Sequence, residues 1–380
     1  MRLLLLSTEF PPAPGGIGVH ANEVAAGLAG AGWDVHVMAT QLHDEAERIA
    51  AFNASRPFGV EPLPRPAGRW ARIVAARRAL RARLATVPPD VVLATGGRAC
   101  WLAAGCVRTP WVAVGHGTEF GPRGGIARRL NRWAYGRAQH VVAVSEYTRG
   151  LLATGGITPR AVSVIHNGAD AERFRPATPD ERTAARAALD VGEGPVLLTV
   201  GSITERKGQH VVIQALPELV RRWPDLVYLV AGMEHERDRC EALAASLGVR
   251  EHVRFLGPVA ADALDAAYHA CDVFCMTSTQ TSSGDVEGFG IAVIEAALCG
   301  VPAVVSDTGG LPEAVADGET GRCVTEGDPE AVGAAVASFL ADDAQRARMG
   351  HAARERALRG YTWPRVSEAF DQLLQRVARA

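Results

Sequence analysis

Short apolar runs alternate with helix-patterned stretches from one end of the chain to the other, and this rhythm narrows the available folds most. The runs fall at Leu3–Ser7, Val35–Ala39, Val91–Ala94, Val112–Gly115, Val141–Val144 and Val162–Ile165. They resume at Val196–Val200, Val227–Ala231, Val253–Leu256, Val273–Met276, Ala303–Val305 and Arg322–Val324. Strands separated by helical stretches form parallel sheets covered on both faces, so the expected class is α/β. Two sets of about six strands predict two Rossmann-like doubly wound domains facing across a cleft, with strand C-termini directed into it. The Pro- and acid-rich segment Phe174–Gly194 reads as a linker and an entering helix. We therefore expect domains at 1–172 and 173–363, with a terminal helix, 364–380, packing back on the first. At 380 residues the chain is long enough for two cores.

Composition excludes several classes. A formal net charge of −2 argues against a dedicated nucleic-acid binder, so no nucleic acid is expected as a partner. The opening Leu3–Leu6 run is too short for a signal peptide and passes into Ser7-Thr8-Glu9 without a cleavage pattern. No apolar stretch reaches the ~20 residues that span a bilayer. Seven scattered cysteines without a C-x-x-C pair predict reduced thiols and a cytoplasmic location. The oligomeric state is not readable.

The stretch from Gly284 to Glu313 is the most informative. Glu295 is its only charge between Glu287 and Asp307, amid Ile291, Val293, Ile294, Ala296, Ala297 and Leu298. An unpaired carboxylate in such a helix costs several kcal/mol, so it calls for a hydrogen-bonding partner, and a sugar hydroxyl pair suits it. Asp307-Thr308-Gly309-Gly310 supplies a glycine turn whose amides could approach phosphate or sugar. Upstream, Arg206-Lys207 follows Val200-Gly201-Ser202, where the two cations can neutralise a diphosphate.

In the first half, Gly15-Gly16 opens a helix running to about Ala31, and glycines there let amides approach a phosphate. Gly16, Gly18 and Ala21 also match a loose dinucleotide pattern. The preceding loop is long, however, and the second strand ends at Thr40 with no ribose-binding acid, so an NAD site is not expected. His116 follows a strand end, where a histidine can bond a hydroxyl or exchange a proton. Arginines crowd Arg65–Arg83 and Arg123–Arg137 around Trp70, Trp133 and Tyr135. Such runs are usually solvated helix faces; the alternative is contact with anionic lipid or a phosphorylated acceptor.

Together, the Gly15-Gly16 loop, His116, Asn167-Gly168-Ala169-Asp170, Arg206/Lys207, the E-x7-E pair Glu287/Glu295, and Gly309-Gly310 with Glu313 resemble glycosyltransferase family 4. The resemblance spans nearly the whole chain and implies the GT-B fold and retaining transfer from a nucleotide sugar, with no cofactor. It implies catalytic roles for His116, Arg206, Lys207 and Glu287. Donor binding would involve Gly15, Gly16, Gly201, Ser202, Arg206, Lys207, Gly257, Pro258, Val259, Glu287, Gly288, Phe289, Gly290, Ile291 and Glu295. Arg206 and Lys207 would hold the diphosphate, Glu295 the ribose, Glu287 the transferred sugar, and His116 that sugar near its 6-hydroxyl. Ser202 stands where many relatives carry Arg, a charge that Arg206 would replace. Glu9, His20, Thr118 and Glu119 are acceptor-side candidates. No D-x-D triplet occurs, so no metal is expected. UDP-glucose or UDP-N-acetylglucosamine is the favoured donor and a small molecule, such as an aminocyclitol, the favoured acceptor. The alternatives are a phosphoinositol or lipid-linked acceptor reached by peripheral membrane contact, or a nucleotide-sugar epimerase or hydrolase on the same fold.

Overall fold

The computed structural model describes residues 1–12, 15–41, 45–121 and 125–380. Arg123, named above, lies outside them. The chain divides into two compact units, Met1–Gly168 with Trp363–Ala380, and Ala169–Thr362.

The first unit holds a seven-stranded sheet. Its strands are β1 (Arg2–Ser7), β2 (Asp34–Ala39), β3 (Gly59–Pro62), β4 (Val91–Thr95), β5 (Trp111–Gly115), β6 (His140–Ala143) and β7 (Val162–Val164), in the order β3-β2-β1-β4-β5-β6-β7. All pairings are parallel. The Leu3–Leu6 run is fully buried in β1, as a central strand covered on both faces requires. β3 is the strand the hydrophobic rhythm misses. Its sequence, Gly-Val-Glu-Pro, carries one apolar side chain and a proline, which a sheet tolerates only at an edge.

Helix Gly16–Gly30 buries Ala21, Val24, Ala25 and Leu28, a 3.6-residue stripe. Helix Trp363–Arg379 lies against it and buries Val366, Phe370, Leu373, Leu374 and Val377. The approach is close enough that a Cβ on Gly27 would collide with Ser367. Trp33 ties the same pair from outside, donating its indole N–H to Asp371 at 2.7 Å.

The second unit holds β8 (Val196–Val200), β9 (Val227–Ala231), β10 (Val253–Gly257), β11 (Val273–Met276), β12 (Ala303–Ser306) and β13 (Gly321–Val324). Their order is β10-β9-β8-β11-β12-β13, again parallel throughout. Each unit thus reverses its winding beside its first strand, between β1 and β4 and between β8 and β11. Open α/β sheets build ligand sites at the strand C-termini beside such a reversal.

Candidate active site

In the second unit the loops leaving β8 and β11 meet at the winding reversal. Residues Glu205–Lys207 form a single 3-10 turn, ended by Gly208 at φ +72°. Only glycine fits there, because a Cβ would also collide with the carbonyl of Thr277. The β11 exit grips this turn at three points. Thr277 Oγ1 donates to the Gly208 carbonyl (2.8 Å), Thr279 N–H to Arg206 (2.9 Å) and Thr279 Oγ1 to Glu205 (2.8 Å). The Lys207 stem runs over Gly201, where a Cβ would stand 3.3 Å from its Cε. Two cations are therefore presented on a short, braced turn.

Glu287 faces both cations. Its Oε2 accepts from Arg206 and lies 2.8 Å from Lys207 Nζ. Burial pushes the carboxyl upward, but Lys207 and then Arg206 outweigh it and hold the group down at about 2. The backbone beneath is fixed by Gly309 and Gly310, where Cβ atoms would strike the carbonyls of Glu287 and Gly288. The Gly310 N–H donates to the Glu287 carbonyl at 2.9 Å, so this amide braces the loop and is not turned toward a ligand. Phe289 is buried and packs on Tyr361, with ring centroids 5.6 Å apart. Gly290, at φ +96°, then starts helix Ile291–Leu298 with no capping side chain on its first turn.

Glu295, on that helix, has a protein partner that its sequence surroundings do not reveal: Tyr268 donates its hydroxyl to Oε2 at 2.6 Å. Burial raises the Glu295 carboxyl, while Tyr268, Arg173 and Lys207 pull it down. Beside the donor candidates Gly257, Pro258 and Val259, the Phe255 ring has the Arg237 and Arg250 guanidinium groups 5.5 and 5.8 Å from its centroid. Gly257 accepts from Gly232 N–H at 2.8 Å, and Pro258 is exposed. Ser202 uses its carbonyl to accept from Gln209 at 3.2 Å.

In the first unit, Gly16 is exposed at the start of its helix, and the Glu9 carboxylate lies over Gly15, where a Cβ would come within 2.6 Å of Oε2. Thr118 opens a 3-10 turn after β5. His116 is 7% exposed, with Nε2 2.6 Å from Thr95 Oγ1 on the neighbouring strand end. Burial lowers the imidazole to about 4, so the ring is neutral near pH 7. Glu119 is buried beneath it, accepting from the His116 N–H (3.0 Å) and the Tyr135 hydroxyl (2.9 Å). His20 is 1% exposed, packed among His116, Trp363 and Phe370 with neither ring nitrogen hydrogen-bonded. His20 and Glu119, two of the acceptor-side candidates, thus lie in the core of the first unit.

Comparison with known proteins places this geometry in a family. Residues 181–356 match the model for glycosyl transferases group 1, and residues 14–173 that for glycosyltransferase family 4. A GDP-mannose-dependent alpha-(1-6)-phosphatidylinositol monomannoside mannosyltransferase of Mycolicibacterium smegmatis is 34% identical over 384 residues, covering 98% of both chains. A D-inositol 3-phosphate glycosyltransferase of Corynebacterium urealyticum is 36% identical over 220 residues, 56% of this chain and 50% of that one. Among solved structures, sucrose-phosphate synthase from Thermosynechococcus elongatus superposes with a TM-score of 0.84 at 21% identity over 99% of this chain and 98% of that one. Anabaena Alr3699/HepE in complex with UDP-glucose gives 0.83 at 22% over 99% of each. At such identities the structures speak for the fold alone. The chain belongs to glycosyltransferase family 4, built on the GT-B fold.

Proposed function

We propose that this glycosyltransferase moves mannose from GDP-mannose, with retention, to the inositol of a phosphoinositol lipid at an anionic membrane surface. The observation that carries the acceptor reading is helix Arg69–Thr86. It buries only Leu80, carries Arg69, Arg72, Arg77, Arg78, Arg81 and Arg83 without an acid, and exposes Trp70 (78%), Ile73 and Val74. Helix Ile126–Tyr135 adds exposed Ile126 and Trp133, and both Trp133 and Arg77 approach Gly105. An exposed indole among arginines suits the headgroup layer, where each basic residue contributes about 1 kcal/mol against anionic lipid. Among the described residues no helix is long and apolar enough to cross a membrane. The names of the mycobacterial relatives matched along 98% of their length carry GDP-mannose and a phosphatidylinositol monomannoside, which supports this donor and a phosphoinositol-lipid class of acceptor. They outweigh the preference for a UDP-sugar donor and a small-molecule acceptor. The D-inositol 3-phosphate relatives favour a second reading, a soluble inositol phosphate acceptor.

In this reading Arg206 and Lys207 bind the donor diphosphate and stabilise the leaving group. Glu287 exchanges its two cations for hydroxyls of the transferred sugar, Glu295 accepts from the ribose, and His116 bonds the sugar as a neutral imidazole. The acceptor hydroxyl attacks the anomeric carbon on the leaving-group side. Its C–O bond forms as the sugar–phosphate bond breaks, and its proton passes to the departing phosphate oxygen. Cationic side chains replace a metal in this scheme. The test is labelled transfer from GDP-mannose to phosphatidylinositol vesicles and to free inositol 3-phosphate, each with and without EDTA. Faster labelling of the vesicles, unchanged by EDTA, is expected. Labelling of inositol phosphate alone would overturn the lipid acceptor, and loss of activity in EDTA restored by Mg²⁺ would overturn the metal-free scheme.

A further inference from the structure

We infer that Tyr268 is a positioning residue for the donor, holding one oxygen of Glu295 so that the other faces the nucleotide ribose. The inference rests on the donor-site reading above but not on the identity of base or sugar. Tyr268 is 1% exposed and sits on helix Ala261–Ala270, which carries none of the residues expected to touch the donor. Its ring is boxed edge-on by Phe174, 5.4 Å between centroids, and stacked on Phe274 at 6.0 Å. Phe174 is steadied in turn by the Arg173 guanidinium, 4.7 Å above its ring, and Arg173 Nε donates to Asp265 at 2.8 Å on the helix that carries Tyr268. The phenol is thus fixed before any ligand arrives.

Its hydroxyl is 2.6 Å from Glu295 Oε2 and 3.4 Å from the Ala292 carbonyl, so the carboxylate is the better acceptor. Among the described residues no other side chain donates to Glu295. Glu295 as a residue is partly exposed, and Tyr268 engages Oε2, leaving Oε1 as the second oxygen of the carboxylate. A carboxylate pinned at one oxygen has one rotamer and one free edge, the arrangement that accepts vicinal hydroxyls without reorganising. The hydroxyl also stabilises the ionised form against burial. Arg173 and Lys207 act in the same sense, and Asp265 opposes them. Burial and the Glu295 charge both push the phenol itself well up, so it stays a donor at working pH.

The test is Tyr268→Phe, which keeps the ring and its packing and deletes only the hydroxyl. Binding of GDP, UDP and inorganic diphosphate is titrated by calorimetry, and steady-state kinetics are measured with donor varied. The expected result is an affinity for the bound nucleoside diphosphate about 3- to 10-fold weaker, because an unpinned carboxylate must be ordered on binding. Diphosphate affinity and kcat stay within about twofold. The acid limb of nucleotide binding moves to higher pH, because the carboxyl loses a group that held it ionised. In a Glu295→Gln background the same substitution has no further effect on nucleotide affinity. Unchanged nucleotide affinity, or an equal loss for diphosphate, would overturn the role of Tyr268. Wild-type protein binding UDP and not GDP would instead contradict the donor named under the proposed function, and Tyr268 would then be tested on UDP.

Discussion

At the residue scale, the site is a small charge-balance problem. Arg206 and Lys207 are held together on one turn, and Glu287 compensates both. That balance has a measurable counterpart in pH. A carboxyl whose folded value is depressed to about 2 contributes stability that is complete above the ordinary carboxylate range and lost as pH falls toward 2. Comparing denaturant midpoints of wild type and Glu287→Gln between pH 7 and 2.5 should show a wild-type advantage of about 3 kcal/mol at most, shrinking below pH 4.5. A pH-independent difference would mean that Glu287 does not balance the pair. Lys207→Ala should cut transfer by about 100-fold or more, while urea unfolding shows the fold intact. Near-wild-type turnover would remove Lys207 from the diphosphate.

At the element scale, helix Arg69–Thr86 is the part of the chain that core packing does not explain. Trp70→Ser and the pair Arg77→Glu, Arg78→Glu alter an exposed face, so stability should move by less than about 0.5 kcal/mol. Sedimentation with vesicles of phosphatidylinositol and phosphatidylcholine should show affinity lower by about 30-fold or more for the charge pair and by less for Trp70→Ser. Binding equal to wild type would assign this face to plain solvation. Strands and helices differed in how far the sequence disclosed them. β8, β9 and β11 were readable to the residue, because each is a buried apolar run between polar or turn-forming neighbours. β3 was not, since Gly-Val-Glu-Pro joins the sheet through backbone pairing with His36–Ala39 and not through an apolar face. The burial of His20 was available in principle: it lies four and eight residues before Val24 and Leu28 on one helical stripe. Tyr268 was not available, because its contact with Glu295 spans 27 residues between two helices and leaves no local pattern.

At the scale of the whole molecule, two units with the same winding each bring a strand-end loop cluster to the reversal beside their first strand. The second unit carries the paired cations and the two glutamates; the first carries His116 and the basic, tryptophan-bearing helix. That division was legible from the strand rhythm and the E-x7-E spacing, whereas donor base and acceptor were not. Backbone groups such as those of Gly257–Val259 are supplied by any sequence, so they carry no signature of a base, and no motif in the first half names an acceptor. The most direct measurement is single-turnover transfer to phosphatidylinositol vesicles from GDP-mannose, UDP-glucose and UDP-N-acetylglucosamine, with the anomeric configuration of the product read by NMR. The expected result is an α-mannosyl lipid from GDP-mannose at least tenfold faster than from either UDP-sugar. A faster UDP-sugar reaction would contradict the donor, and a β-linked product would contradict retention.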